Sequence, residues 1–206
     1  MSKAEQFWDG RAASYDGRGE AEAQADPTML AAIERHLHPE DRLLDFGCAT
    51  GTWSLAVAGR VREVQGLDVS GKMIAAAQAK AASHPARNVR FRQGNLFDPV
   101  YGEASLDVIM SLSVLHLLDD LPAVMDRMAR LLTPGGRLIA NTPCLGQTRS
   151  LLSLLMRGIR KTGIVPHLNL LSSRDIEQRI TGAGLSIVES HMWPDGDLFV
   201  VAQKSA

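Results

Sequence analysis

The stretch 43–55, Leu-Leu-Asp-Phe-Gly-Cys-Ala-Thr-Gly-Thr-Trp-Ser-Leu, constrains the fold more than any other part of the chain. Two leucines run into Asp45, a glycine-bearing turn follows, and the chain enters an apolar, alanine-containing segment. That is the outline of a buried strand, a tight loop and a helix N-terminus. In doubly wound α/β folds such a first turn lets the backbone pass close beneath a nucleotide-like ligand, and Gly47 and Gly51 present no side chain to block the approach. A dinucleotide fingerprint needs its third small residue three positions after the second. Counted from Gly47 the frame is Gly47, Ala49, Thr52, and the last position fails.

The next strand ends on an acid as well. Glu63–Val69 reads as a strand closing at Asp68, about twenty residues beyond Gly47, where a Rossmann-like fold places the carboxylate that accepts both ribose hydroxyls. A carboxylate takes two hydroxyl donors at once, which Ser or Asn does less well. The plainer alternative is that Asp68 caps the helix starting at Ser70.

Around this centre the elements follow in α/β order. Asp26 and Pro27 open a helix to Leu37 as N-cap and first residue. Ser70–Ala82 is helical, Asn88–Gly94 alternates like a strand, and Leu106–Leu112 is apolar enough to be central. The run Ser113–Asp120 reads as its continuation. Pro122 opens a helix to Leu132, Thr133-Pro-Gly-Gly136 stops it, and Arg137–Asn141 is the next strand. Ser172–Ala183 is a last helix. Leu185–Met192 and Asp197–Ala202 pair as a hairpin around Pro194-Asp-Gly. The count is seven strands, with helices between the first five.

A chain of 206 residues fits one such domain, and its 45% hydrophobic and 22% charged content is that of a soluble globular protein rather than a disordered one. The net charge of −1 gives no overall drive toward nucleic acid, and no basic tract with interleaved aromatics is present. Cys48, inside the glycine loop, reads as a buried thiol, which together with Cys144 places the chain in a reducing compartment. The start has no apolar signal core and no run approaches a membrane span, so a cytoplasmic location is expected. No His/Cys cluster has metal-ligand spacing, and there is no nucleophile elbow or Walker lysine loop.

Read as acidic-x-Gly-x-small-x-Gly, the residues Asp45, Gly47, Ala49 and Gly51 do fit a pattern. It resembles the first motif of class I S-adenosylmethionine-dependent methyltransferases of the small-molecule type, with alanine at the middle glycine. The helix–Pro-Gly-Gly–strand cassette at 122–141 and the closing hairpin are also typical of that family, so the resemblance covers nearly the whole chain. It implies a Rossmann-like three-layer sandwich whose seven-stranded, mostly parallel sheet has its last strand antiparallel. The chain is then one domain over 1–206, with an N-terminal helical cap over about 1–38 and a late helical insertion over about 144–171.

The resemblance also implies a cofactor, S-adenosylmethionine, with S-adenosylhomocysteine as product. Asp45 and the loop Gly47, Cys48, Ala49 and Gly51 would hold its methionine portion, and Asp68 with Val69 its ribose. Met73 would cover one face of the adenine beside Leu96. Asn95 stands where the family usually has an acid accepting from the adenine amino group, which makes that contact weaker here. Leu112 would border the cofactor at the end of the central strand. The opening Trp8-Asp9…Tyr15-Asp16 resembles a segment that folds over the cofactor, bringing Tyr15 near it; the plain alternative is edge packing.

The acceptor is then a small molecule, and His116 and His167 are the substrate-side candidates, each equally readable as packing. No base is required unless the accepting atom carries a proton. Two other functions compete: a regulatory protein of the same fold that binds the cofactor without turnover, and a nicotinamide-dependent oxidoreductase. Against the latter stand Thr52 and the absence of a Tyr-x-x-x-Lys pair. Finally, Arg127–Arg174 contains no Asp or Glu. Within it Leu151, Leu152, Leu155, Met156 and Ile159 share one helical face, opposite Arg149, Ser153, Arg157, Arg160 and Lys161. A lid is expected there, apolar toward the acceptor, with a basic edge for an anionic group or weak membrane-surface contact and with Gly158 and Gly163 as pivots.

Overall fold

The computed structural model describes residues 2–16, 25–146 and 167–206. Seven strands form one sheet: β1 (Arg42–Phe46), β2 (Glu63–Asp68), β3 (Val89–Gln93), β4 (Leu106–Leu112), β5 (Leu132–Pro143), β6 (Leu185–Met192) and β7 (Asp197–Lys204). Their order across the sheet is β3-β2-β1-β4-β5-β7-β6. The first five run parallel, and β7 lies antiparallel between β5 and β6. The expected α/β architecture, with its antiparallel last strand, is present.

Strand alternation sends successive side chains to opposite faces. Leu43, Val108, Met110, Ile139, Phe199 and Val201 point to one, where they pack with α3 (Pro27–Glu34) and α4 (Thr52–Val57). Leu44, Ile109, Leu138, Ala140 and Val200 point to the other, against α6 (Leu121–Leu131) and α7 (Ser173–Gly182). Each of the larger of these side chains, fully buried, contributes roughly 1.5–3 kcal/mol. Between β2 and β3 lies α5 (Gly71–Ser83), and at the start of the chain two short helices, α1 (Lys3–Asp9) and α2 (Ala12–Tyr15), dock beside it.

The helices begin where their caps say. Asp26 accepts from the Met29 N–H at 2.8 Å, Ser70 from Met73 at 3.1 Å and Asp120 from Ala123 at 3.1 Å. Ser172 and Asp175 form a reciprocal capping box.

Three expectations change. No helix joins β3 to β4: residues 94–105 form turns. The central strand stops at Leu112, because Ser113 turns left-handed (φ 57°) and Leu115–Leu117 wind into a 3₁₀ turn. And β5 starts earlier than Arg137, since Leu132 pairs with Leu106 across an irregularity and draws the Pro-Gly-Gly run into the strand. The helix expected over 151–159, with its basic edge and glycine pivots, lies outside the described residues.

Candidate functional site

The glycine loop is tied to β2. The N–H groups of Gly47 and Cys48 both donate to the Leu67 carbonyl, at 2.8 and 3.1 Å, and the Gly51 N–H to the Cys48 carbonyl at 2.9 Å. Gly47, Ala49 and Gly51 all have positive φ, at 75°, 47° and 79°. A Cβ on Gly47 would stand 2.3 Å from a methyl of Val114, and one on Gly51 2.5 Å from the Phe91 ring, so the glycines are required by conformation and by space. Ala49 holds the same conformation with a side chain, at a cost of about 1–2 kcal/mol.

Two carboxylates flank this loop. Asp45, 2% exposed, accepts from the Ser54 hydroxyl at 2.5 Å. Burial pushes its carboxyl up to about 7, against the Ser54 bonds, and the neighbouring Asp68 adds to the rise. Asp68 accepts the Ala49 N–H at 3.0 Å on one oxygen and the Ser70 N–H at 2.8 Å on the other. Burial raises it too, against those two bonds. The cap of α5 is Ser70 itself; Asp68 staples the loop to the end of β2, and beyond these bonds and one from the Val69 N–H its carboxylate has lone-pair capacity left. Acids desolvated together in this way favour a cationic ligand that also offers hydroxyl donors.

The other sequence candidates gather around the same end of the sheet. Val69 is half-buried, and its carbonyl accepts from Gln93 at 3.1 Å. Met73 and Leu96 are buried and Leu112 half-buried. Asn95 is exposed, and its side-chain oxygen already accepts the Phe97 N–H at 2.8 Å, which leaves one lone pair for an adenine amino group. Cys48 is a buried free thiol whose pKa is raised by burial. Tyr15, 41% exposed, is the last residue of α2.

Around Tyr15 the cap is fastened by groups the sequence did not single out. Asp9 accepts from the Ser70 hydroxyl (2.6 Å) and the Lys72 N–H (3.2 Å). Asp16 accepts from the Thr50 hydroxyl (2.7 Å) and from Lys80 (2.9 Å), and Lys80 also reaches the hydroxyls of Thr50 and Thr52. The Trp-Asp…Tyr-Asp spacing was the one available signal. Which loop each aspartate grips is visible only in the folded chain.

His116 and His167 lie on segments that Asn169 joins by hydrogen bonds. His116 places Nδ1 3.3 Å from the Thr142 hydroxyl, and its carbonyl accepts from Asn169 at 2.7 Å. Burial lowers its pKa to about 4, so the ring is neutral near pH 7. His167 pairs with Asp119 at 2.8 Å, on the segment that carries Asn169 along the 3₁₀ turn.

A family model described as a methyltransferase domain matches residues 37–175. Nocamycin O-methyltransferase of Saccharothrix syringae is 39% identical over 99 residues, 47% of this chain and 35% of that protein. The 27-O-demethylrifamycin SV methyltransferase of Amycolatopsis mediterranei is 33% identical over 135 residues, 64% of this chain and 47% of that one. The chain thus spans between a third and a half of these curated relatives. Geranyl diphosphate C-methyltransferase from Streptomyces coelicolor A3(2), solved with S-adenosyl-L-homocysteine, shares the fold: TM-score 0.72, 16% identity, 86% of this chain and 75% of that one.

Proposed function

Because the chain belongs to the methyltransferase domain family, we propose that it transfers a methyl group from S-adenosylmethionine to a small-molecule acceptor. The observation that carries this reading is the pair of acids, Asp45 buried and Asp68 half-buried, that end two neighbouring strands beside a glycine loop bonded to Asp68. Relatives named for methylating nocamycin and demethylrifamycin support a small-molecule acceptor.

The residues present fit the cofactor. Asp45 offers a carboxylate to the ammonium of its methionine portion, and the spare lone pairs of Asp68 match a ribose diol. Met73, Leu96 and Asn95 lie on the side where the adenine would rest. The cofactor supplies a methyl carbon already activated on a sulfonium, so the protein's task is alignment of the accepting atom on the C–S axis. Positioning of this kind can lower a barrier by roughly 7–11 kcal/mol at best. The neutral ring of His116 can orient an acceptor by accepting a hydrogen bond.

Calorimetry with S-adenosylhomocysteine tests the reading directly. The expected affinity is roughly micromolar. Asp68→Ala should weaken it by about 1–3 kcal/mol, the scale of lost charge-assisted hydrogen bonds. Binding at full strength in that variant would overturn the assignment.

A further inference from the structure

One polar pair at the carboxyl end of the sheet has no role in the cofactor half of the site. Asn141 on β5 lies between Leu112 of β4 and Phe199 of β7 in the strand register. It is 2% exposed. Its amide N–H donates to Asp197 at 2.9 Å, while its amide oxygen, buried, has no partner among the described residues. Such an orphan is uncommon in a folded interior and marks a place where a donor from outside the chain is expected.

The same face of the sheet is otherwise largely apolar. Leu112 of β4, Met29 and Leu30 of α3, Trp53 of α4 and Trp193 before β7 all pack, half-buried, against the core on this face of the sheet. Trp193 is fixed to the pair from behind: its N–H donates to the Asp197 carbonyl at 2.8 Å and its ring meets Phe199 at 6.0 Å. Its indole N–H is also buried without a partner among the described residues. Asp197 itself is half-buried, and burial together with Asp195 raises its pKa against the Asn141 bond. Apolar side chains about a few converging polar groups and a perturbed acid match the composition of a small-molecule site.

Its place is the second argument. Adjacent strands lie about 4.8 Å apart, so Asn141 is one strand away from Leu112, the residue expected to border the cofactor. A group held by Asn141 would therefore lie beside the transferable methyl.

We propose that Asn141 and Asp197 are the polar anchor of the acceptor site, and that they select an apolar, ring-sized molecule through a hydroxyl that donates to the Asn141 amide oxygen or the Asp197 carboxylate. The cofactor assignment fixes which molecule this site serves, so the inference rests on the methyltransferase reading. The anchor itself is a feature of this chain's own residues and is tested by binding.

The probes are 2-naphthol and 2-methoxynaphthalene, alike in shape but differing in the donor. Calorimetry is run first with S-adenosylhomocysteine and then with each probe on the loaded protein. 2-Naphthol should bind about tenfold or more tightly than its methyl ether, the scale of one buried hydrogen bond left unmade. Asn141→Leu, similar in shape and without the amide, should bring the two probes to equal affinity. Asp197→Asn is the second variant should the first fail to fold, and it should narrow the ratio while leaving S-adenosylhomocysteine affinity within about twofold. Equal binding of the probes to the parent protein overturns the proposal, as does absence of binding by both, or a ratio unmoved in both variants. In those cases a trapped water is what satisfies Asn141. If S-adenosylhomocysteine itself fails to bind, the methyltransferase reading falls separately, and the same probe ratio on the ligand-free protein still decides the anchor.

Discussion

Asp45 stores a conflict that a ligand can resolve. It lies at the N-terminus of α4 with the Ser54 hydroxyl on it, both of which favour the charged form, yet burial outweighs them and holds the acid at about 7. The folded value lies above the unfolded value near 3.9. Between about pH 4 and 7 the unfolded chain gives up this proton while the folded chain keeps it, so the contribution of Asp45 to stability declines as pH rises through that window and levels off above it. A cationic ligand group beside Asp45 reverses the preference and expels the proton. S-Adenosylhomocysteine affinity should accordingly fall as pH drops below 7, by up to about tenfold per unit. Calorimetry in two buffers of different ionisation heat should show proton release approaching one per site at pH 6. Asp45→Asn should abolish that release and weaken binding at pH 8. Release unchanged in this variant would assign the proton elsewhere, with Asp68, also raised by burial, the next group to test.

At the scale of elements, β3 is the margin of the sheet, paired among the described residues only with β2. With turns rather than a helix joining it to β4, a groove of about 660 Å³ opens along that margin, lined by Arg62, Arg87, Arg90 and Arg92 with Glu63 as the one acid. Charged side chains on an edge strand discourage a second strand from adding to it. Replacing Arg90 and Arg92 together by Thr should shift the protein toward dimers or larger species in sedimentation velocity; unchanged sedimentation would show that the arginines are not the guard. The margin also shows what a sequence discloses and what it hides. The strand cores were legible because each is a short apolar run, and Asp45, Gly47, Gly51 and Asp68 were legible because they fall within 24 residues of strand–turn–helix. Lengths were not: whether β5 begins at Leu132 or Arg137 is decided by Leu106 on another strand. The pair Asn141–Asp197 was hidden for the same reason. Its members are separated by 56 residues and meet only because β7 returns antiparallel beside β5.

Across the whole molecule, the N-terminal cap grips both walls of the candidate cofactor site while burying little of itself. None of the residues of α1 or α2 is buried. Its hold on the domain includes Asp9 on Ser70 and Lys72, at the start of α5, and Asp16 on Thr50 and Lys80, over the glycine loop. Ion pairs and hydrogen bonds of this type, part-buried at the surface, are individually weak, whereas the sheet beneath is fixed by two layers of buried side chains. The cap is therefore the part of the site that opens at least cost, and such low-stability elements set ligand exchange rather than folding. Asp9→Ala combined with Asp16→Ala removes all four contacts and should speed S-adenosylhomocysteine dissociation in stopped-flow displacement by about tenfold, while shifting the thermal midpoint by no more than a few degrees. Lys80→Met should reproduce part of the effect, because Lys80 joins Asp16 to Thr50 and Thr52. A dissociation rate unchanged in both variants would mean that the cap rests on the domain edge without covering the ligand, and that the two aspartates serve only to dock the first helices.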